Sequence, residues 1–228
     1  MHSEKQHLVL QHFEKFVSDH KKQFIDRVLD LRTRHITVVL EDIYQSQNSS
    51  AVIRTCECMG LQDIHIVEQR TKYKINPRVL KGANKWIDFY QYQRDHVNNT
   101  ETCYSFLRQN GYRILVTDPS PDGTSVHDID ITKQKTALVF GNELRGVSPY
   151  GISHADEKIQ IPMYGFTESL NISVSVAICL NSLIQKLHES NERYSLSELE
   201  RNTIKLDWYR KIVRRSDLIE KEFLRTID

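Results

Sequence analysis

Five side chains suited to handling hydroxyls and phosphates stand in three short polar stretches of this 228-residue chain. Asn48 and Arg54 are six positions apart in Asn48-Ser-Ser-Ala-Val-Ile-Arg54. Glu143 sits in Phe140-Gly-Asn-Glu-Leu-Arg-Gly-Val-Ser148, and Ser169 and Asn171 in the loop that follows Ile161-Pro162. Arginine binds anions but is effectively always protonated, which makes it a poor base. Each residue also has an ordinary explanation: a surface arginine for Arg54, a helix N-cap for Asn48, Ser169 or Asn171, an exposed loop carboxylate for Glu143. Familiar glycine signatures do not apply. Gly146 is followed by Val147, with no Lys-Ser/Thr pair for a P-loop, and no GxGxxG occurs.

The stretches fall where strands end. Ile36–Leu40 is an apolar β-branched run followed by a polar loop ending in Asn48, Ser49 and Ser50. Ala51–Met59 has helical character and is stopped by Gly60; Asp63–Val67 is a second strand. The same grammar returns as a helix at Thr102–Gln109 and strands at Tyr112–Thr117, Thr136–Phe140 and Lys158–Ile161. Alternation of strand, loop and helix predicts an α/β domain with a mostly parallel sheet. Its carboxyl edge is where such folds hold ligands. The last strand hands over through a polar loop to a segment from Ile172 that lacks Gly and Pro. Its spacing of Val176, Ala177, Leu180 and Leu183 predicts a helix, whose free N–H groups suit an electron-rich ligand.

Charge and cysteine usage narrow the class. Overall charge is balanced, 31 basic against 30 acidic side chains. From Arg70 to Asp95, however, seven basic residues face two acidic ones, interleaved with Tyr73, Trp86, Phe89, Tyr90 and Tyr92. That mixture fits phosphate contact and base stacking, or a solvated loop over core aromatics; Trp86 fits either. Cys56, Cys58, Cys103 and Cys179 form no CxxC pair and no zinc set, so buried free thiols in a reducing compartment are expected. No signal-peptide core or bilayer-length apolar run is present, which predicts a soluble, cytoplasmic protein with no membrane contact. Residues Glu4–Arg34 have helical periodicity in one long polar segment. The tail places Arg201, Lys205, Arg210, Lys211, Arg214 and Arg215 around Trp208 and Tyr209, which suits RNA phosphates or a partner helix.

Three ordered stretches carry a resemblance: Asn48–Gly60, Leu138–Ser148 and Ile161–Ala177. Together they resemble the SPOUT class of RNA methyltransferases, and within it the TrmH (SpoU) family of tRNA ribose 2′-O-methyltransferases. Lys81-Gly-Ala-Asn-Lys-Trp86 and the tail from Leu196 to Phe223 are similar to the tRNA branch. The resemblance implies a sheet domain over 36–187 with a C-terminal trefoil knot, an otherwise rare feature. Helical extensions at 1–35 and 188–228 would flank it. It also implies S-adenosylmethionine as cofactor, a homodimer, and tRNA as partner, with a D-loop guanosine as target.

By the same resemblance Arg54 is the residue that handles the ribose hydroxyl, with Asn48, Glu143, Ser169 and Asn171 around it. Gly141, Ile161 and Leu170 would hold the adenosine, with Thr117 beside them. Because of its permanent charge, Arg54 is expected to bind the adjacent phosphate and stabilise a developing alkoxide, leaving phosphate or water to take the proton. Two rivals remain: a ribosomal RNA methyltransferase with the same three motifs, and a knotted RNA-binding protein without catalysis.

Overall fold

The computed structural model describes residues 2–120 and 122–227. The chain forms two compact units. One spans Thr33–Tyr194; the other joins the described residues up to Arg32 with those from Ser195 onward. The elements run α1 (His2–Glu14), α2 (Asp19–Asp30), β1 (Ile36–Glu41), α3 (Ser46–Cys58), β2 (Asp63–Val67), α4 (Pro77–Leu80) and a 3-10 turn at Ala83–Lys85. They continue with β3 (Asp88–Tyr92), α5 (Asn99–Gln109), β4 (Arg113–Thr117), β5 (Thr124–Ser125), β6 (Thr136–Phe140), α6 (Pro149–Ser153) and β7 (Glu157–Gln160). Last come α7 (Ile172–Glu189), α8 (Glu198–Ile212) and α9 (Ser216–Ile227).

The first unit is a seven-stranded sheet in the order β3-β2-β1-β6-β4-β7-β5, and every described pairing is parallel. Strands covered on both faces need largely apolar runs, and Val38–Leu40 of β1 and Ala137–Phe140 of β6 supply them, every residue of both strands being buried. Side chains alternate between two cores. Val38, Leu40, Leu138 and Phe140 face Val52, Ile53 and Cys56 of α3 and Val176, Leu180 and Leu183 of α7. Val39, Ala137 and Val139 face Cys103, Tyr104 and Leu107 of α5. Each fully buried Val or Leu contributes about 2 kcal/mol relative to exposure. Register sets the site: Leu40 pairs with Phe140 and Thr117 with Ile159, so the loops after β1, β6, β4 and β7 emerge at one edge.

Strands at Asp63–Val67 and Thr136–Phe140 match the sequence expectation, and Gly60 ends α3 with φ 80°. The Leu61 N–H donates to the Cys56 carbonyl at 3.0 Å, closing the helix terminus. Three differences have clear causes. Helix α3 begins at Ser46, so Asn48, Ser49 and Ser50 lie inside its first turns rather than ahead of it. The expected single N-terminal helix is two, α1 and α2. Strands β3 and β5 were not expected. In β3 the rings of Tyr90 and Tyr92 stack on buried His65, 4.7 and 5.9 Å between centroids, so these aromatics serve packing. Burial first, then the Arg34 charge, lowers the His65 pKa to about 3 and keeps the ring neutral. All four cysteines are free, but Cys58 is exposed, contrary to expectation. Among the described residues no helix is long and apolar enough to cross a membrane.

The second unit packs Phe13, Ile25, Leu29, Ile204, Trp208 and Tyr209 as its core. Helix α8 opens on a capping box in which Ser197 and Glu200 satisfy each other's backbone N–H groups. The Arg32 guanidinium lies 5.4 Å from the centre of the Trp208 ring. Arg201 pairs with Asp30, Lys205 with Asp26 at 2.9 Å, and Arg210 with Glu220 at 2.6 Å and Asp207 at 2.8 Å. The two ends of the sheet unit also meet, Thr33 Oγ1 donating to the Tyr194 carbonyl at 2.6 Å.

Candidate active site

The first turn of α3 lacks a side-chain cap of its own, since Gln45 makes no capping bond. Glu143, from the loop after β6, instead holds the two residues that lead into the helix. Its carboxylate accepts the Tyr44 N–H at 3.0 Å, the Gln45 N–H at 3.2 Å and the Asn48 amide at 2.9 Å. An anion here also meets the positive end of the helix. Partial burial raises the Glu143 pKa, but the bonds from Asn48 and the Tyr44 and Gln45 backbone outweigh it. The carboxyl therefore titrates below its usual value.

The chain of bonds continues across the edge. Asn171 caps α7, its Oδ1 accepting the Ser173 N–H at 2.9 Å, while its amide donates to Asn48 Oδ1 at 3.1 Å. Asn48 thus gives its amide to Glu143 and takes one from Asn171. Three segments far apart in sequence, the first turn of α3, the loop after β6 and the cap of α7, are tied into one polar line.

The loop that carries Glu143 is fixed by its own turn. Asn142 and Gly146 exchange backbone bonds at 2.9 and 2.8 Å, and Asn142 Nδ2 donates to the Asp42 carbonyl at 2.7 Å. A Cβ at Gly141 would lie 2.1 Å from Val147 N, so only glycine lets the loop close on itself. Buried Glu41 secures the far end, accepting the Ser148 N–H and hydroxyl, each at 2.8 Å.

Between these loops lies a cleft of about 690 Å³. Asn48, Glu143, Ser169 and Asn171 line it, as do Thr117, Gly141, Ile161 and Leu170. Arg54 does not. It is exposed on α3, about 120° around the helix from Asn48, and makes no described hydrogen bond or ion pair. Thr117 is anchored, its hydroxyl donating to the Val139 carbonyl at 3.0 Å. Ser169 is exposed in the loop between β7 and α7, where Tyr164 and Phe166 are almost wholly open to solvent. Cys179 also lines the cleft, but burial pushes its thiol up to about 12, leaving it protonated and unreactive.

A sequence profile of the SpoU rRNA Methylase family matches residues 35–181, the sheet unit almost from end to end. The chain belongs to the SpoU rRNA Methylase family. It is 42% identical, over 90% of its length and 92% of the relative's, to a tRNA (guanosine(18)-2′-O)-methyltransferase of Borreliella burgdorferi (strain ATCC 35210 / DSM 4680 / CIP 102532 / B31). The crystal structure of the A. aeolicus TrmH/SpoU tRNA modifying enzyme is similar, with a TM-score of 0.74 and 32% identity. That match covers 85% of this chain and 98% of the other. An AdoMet-bound rRNA methyltransferase from Sinorhizobium meliloti shares the fold, at a TM-score of 0.59 and 23% identity. It covers 71% of this chain and 60% of that one.

In this SpoU-family chain the cleft also collects residues that sequence reasoning did not single out: Gln45, Asp118, Asn142, Arg145 and Met163. Asn142 and Arg145 flank Glu143 inside a stretch already marked by its two glycines, which was the available signal. Gln45 and Met163 carried none. Only the register of the neighbouring strands brings them to the edge.

Proposed function

We propose that this SpoU-family protein transfers the methyl group of S-adenosylmethionine to the ribose 2′-hydroxyl of a guanosine in tRNA. The target would be the guanosine numbered 18 in its relative's name. The observation that carries this reading is identity at 42% across nearly the whole of both chains. The cleft supports it. Phe140, Ile159, Ile161 and Leu170 offer apolar walls for a nucleoside, with Thr117 and the backbone around Gly141 as polar edges. When bound, S-adenosylmethionine supplies a methyl already activated for transfer.

The protein's task is then to position the ribose oxygen, manage its proton and exclude water. Asn48 and Asn171, locked to each other, orient the substrate, and Glu143 holds Asn48 in its amide orientation. Ser169 closes the cleft beside the ribose. Arg54, outside this chain's own cleft and without a described ion pair, binds the phosphate next to the target in the homodimer and stabilises the developing alkoxide, the proton passing to phosphate or water. The protein works in the cytoplasm as a homodimer. Support for pairing comes from apolar side chains left open near the cleft, Leu144, Tyr164 and Phe166, and from Val174 on α7. The trefoil knot belongs to the same reading.

The test incubates labelled S-adenosylmethionine with unmodified total tRNA and, separately, ribosomal RNA, followed by nucleoside analysis. Accumulation of 2′-O-methylguanosine in tRNA alone is the expected result. Transfer to ribosomal RNA alone would replace the substrate, and methyl-donor binding without transfer to either would remove the assigned activity.

A further inference from the structure

A second concavity, of about 670 Å³, lies beside the cleft between the start of α3 and the segment after β2. Its lining includes Tyr44, Ser46, Gln47, Arg70, Lys72 and Lys74, and no carboxylate. The three cations are exposed and none makes a described ion pair. Other cations of the sheet unit are matched, Arg34 with Asp63 and Asp88 and Lys158 with Asp118 and Asp122.

The wall carrying these cations is held in place. Asp42, in the left-handed region at φ 54°, accepts the N–H groups of Gln69, Arg70 and Thr71 at 2.7, 2.8 and 3.1 Å. Ser49 Oγ donates to the Lys74 carbonyl at 3.1 Å, and Ser50 Oγ accepts the Asn76 N–H at 2.7 Å. The backbone is thus ordered without spending a single cationic head group. Tyr44 is 71% exposed, yet its own N–H is fixed by Glu143. Gln45 lines both the groove and the cleft, making them continuous.

We infer that this groove seats the RNA strand flanking the methylated nucleotide. Arg70, Lys72 and Lys74 hold its phosphates, and the Tyr44 ring stacks on a neighbouring base. The inference rests on the RNA reading above and adds a binding surface to it. Unpaired cations on a rigid wall gain more from a polyanion than mobile ones, because little order is lost on binding. An exposed ring beside them is the usual platform for an unstacked base.

The test compares the full-length wild type with the triple variant Arg70→Gln/Lys72→Gln/Lys74→Gln and with Tyr44→Ala and Tyr44→Phe. Affinity for fluorescent unmodified tRNA is measured across a salt series with S-adenosylhomocysteine present, alongside KM for tRNA, S-adenosylhomocysteine affinity and Tm. The triple variant is expected to bind tRNA at least tenfold more weakly, with Tm and S-adenosylhomocysteine affinity held. Its log–log salt slope should be shallower by about 2, at roughly 0.7 per lost contact to a single strand. Tyr44→Ala should raise KM for tRNA about fivefold, and Tyr44→Phe should restore it. Wild-type affinity and slope in the triple variant would overturn the groove, as would a loss matched by falling Tm. If the wild type methylates tRNA while the triple variant binds it equally well, the groove alone is wrong. A wild type that binds no tRNA takes the reading above down as well.

Discussion

Two regions of this protein are rich in cations, and three cations on α8 of one are matched where three lining a groove of the other are not. In the helical unit Arg201, Lys205 and Arg210 are each matched to a carboxylate, and Trp208 and Tyr209 are buried. In the sheet unit, Arg54 on α3 and Arg70, Lys72 and Lys74 in the groove beside the cleft are exposed and without a described partner. In sequence both regions show basic residues among aromatics. Pairing tells them apart: a matched cation stabilises the fold, whereas an unmatched one on a rigid wall is available to a ligand.

The largest expected effect would test the unmatched side. Arg54→Ala should lower kcat/KM for tRNA by about 10² to 10³, the scale of losing a charge-stabilising group, with Tm within a degree or so of wild type. Near-normal turnover would break the comparison at its most important residue. On the matched side, Trp208→Ala should cost about 3–5 kcal/mol in chemical denaturation, the usual range for emptying a large aromatic from a core. A loss confined to tRNA affinity would instead make Trp208 a stacking platform.

Glu143→Gln is smaller and has a pH signature. Because the folded pKa of Glu143 lies below its ordinary value, its contribution is present above the unfolded carboxylate pKa. It is lost as pH falls through the folded one. The variant should lose about 1–2 kcal/mol at neutral pH and show a flatter acid limb in urea titrations. An acid limb as steep as that of the wild type would remove the carboxylate from the start of α3. Smallest of all, Arg210→Ala breaks a partly exposed pair and should cost under about 1 kcal/mol, with tRNA affinity unchanged in anisotropy. A tenfold affinity loss would place the helical unit on the RNA side of the comparison.

Much of the sheet was legible because β-branched runs and glycine stops are local signals, as at Thr136–Phe140 and Gly60. The start of α3 was not, since the residues leading into it are held by Glu143, 98 residues from Gln45. Serines at 49 and 50 look like N-caps from sequence; in the fold they bond the Lys74–Asn76 segment. Strand β3 was hidden for a related reason. Asp88-Phe-Tyr-Gln-Tyr92 mixes polar and aromatic residues as an edge strand does, and only His65 on β2 shows which face the rings pack against. The membership of the cleft depended on strand order, which no single stretch records.

The bond between Thr33 and Tyr194 has a consequence for how the protein is made. The sheet unit is continuous in the chain and is complete once Tyr194 has left the ribosome. Helices α1 and α2 precede the sheet unit in the chain, yet must wait for α8 and α9 before Phe13, Ile25 and Leu29 gain their partners. During synthesis these helices are therefore made before the sheet unit and find their core only after it. The nascent chain carries an unsatisfied apolar face while the whole sheet unit is translated, and truncation after Tyr194 would leave that face open for good.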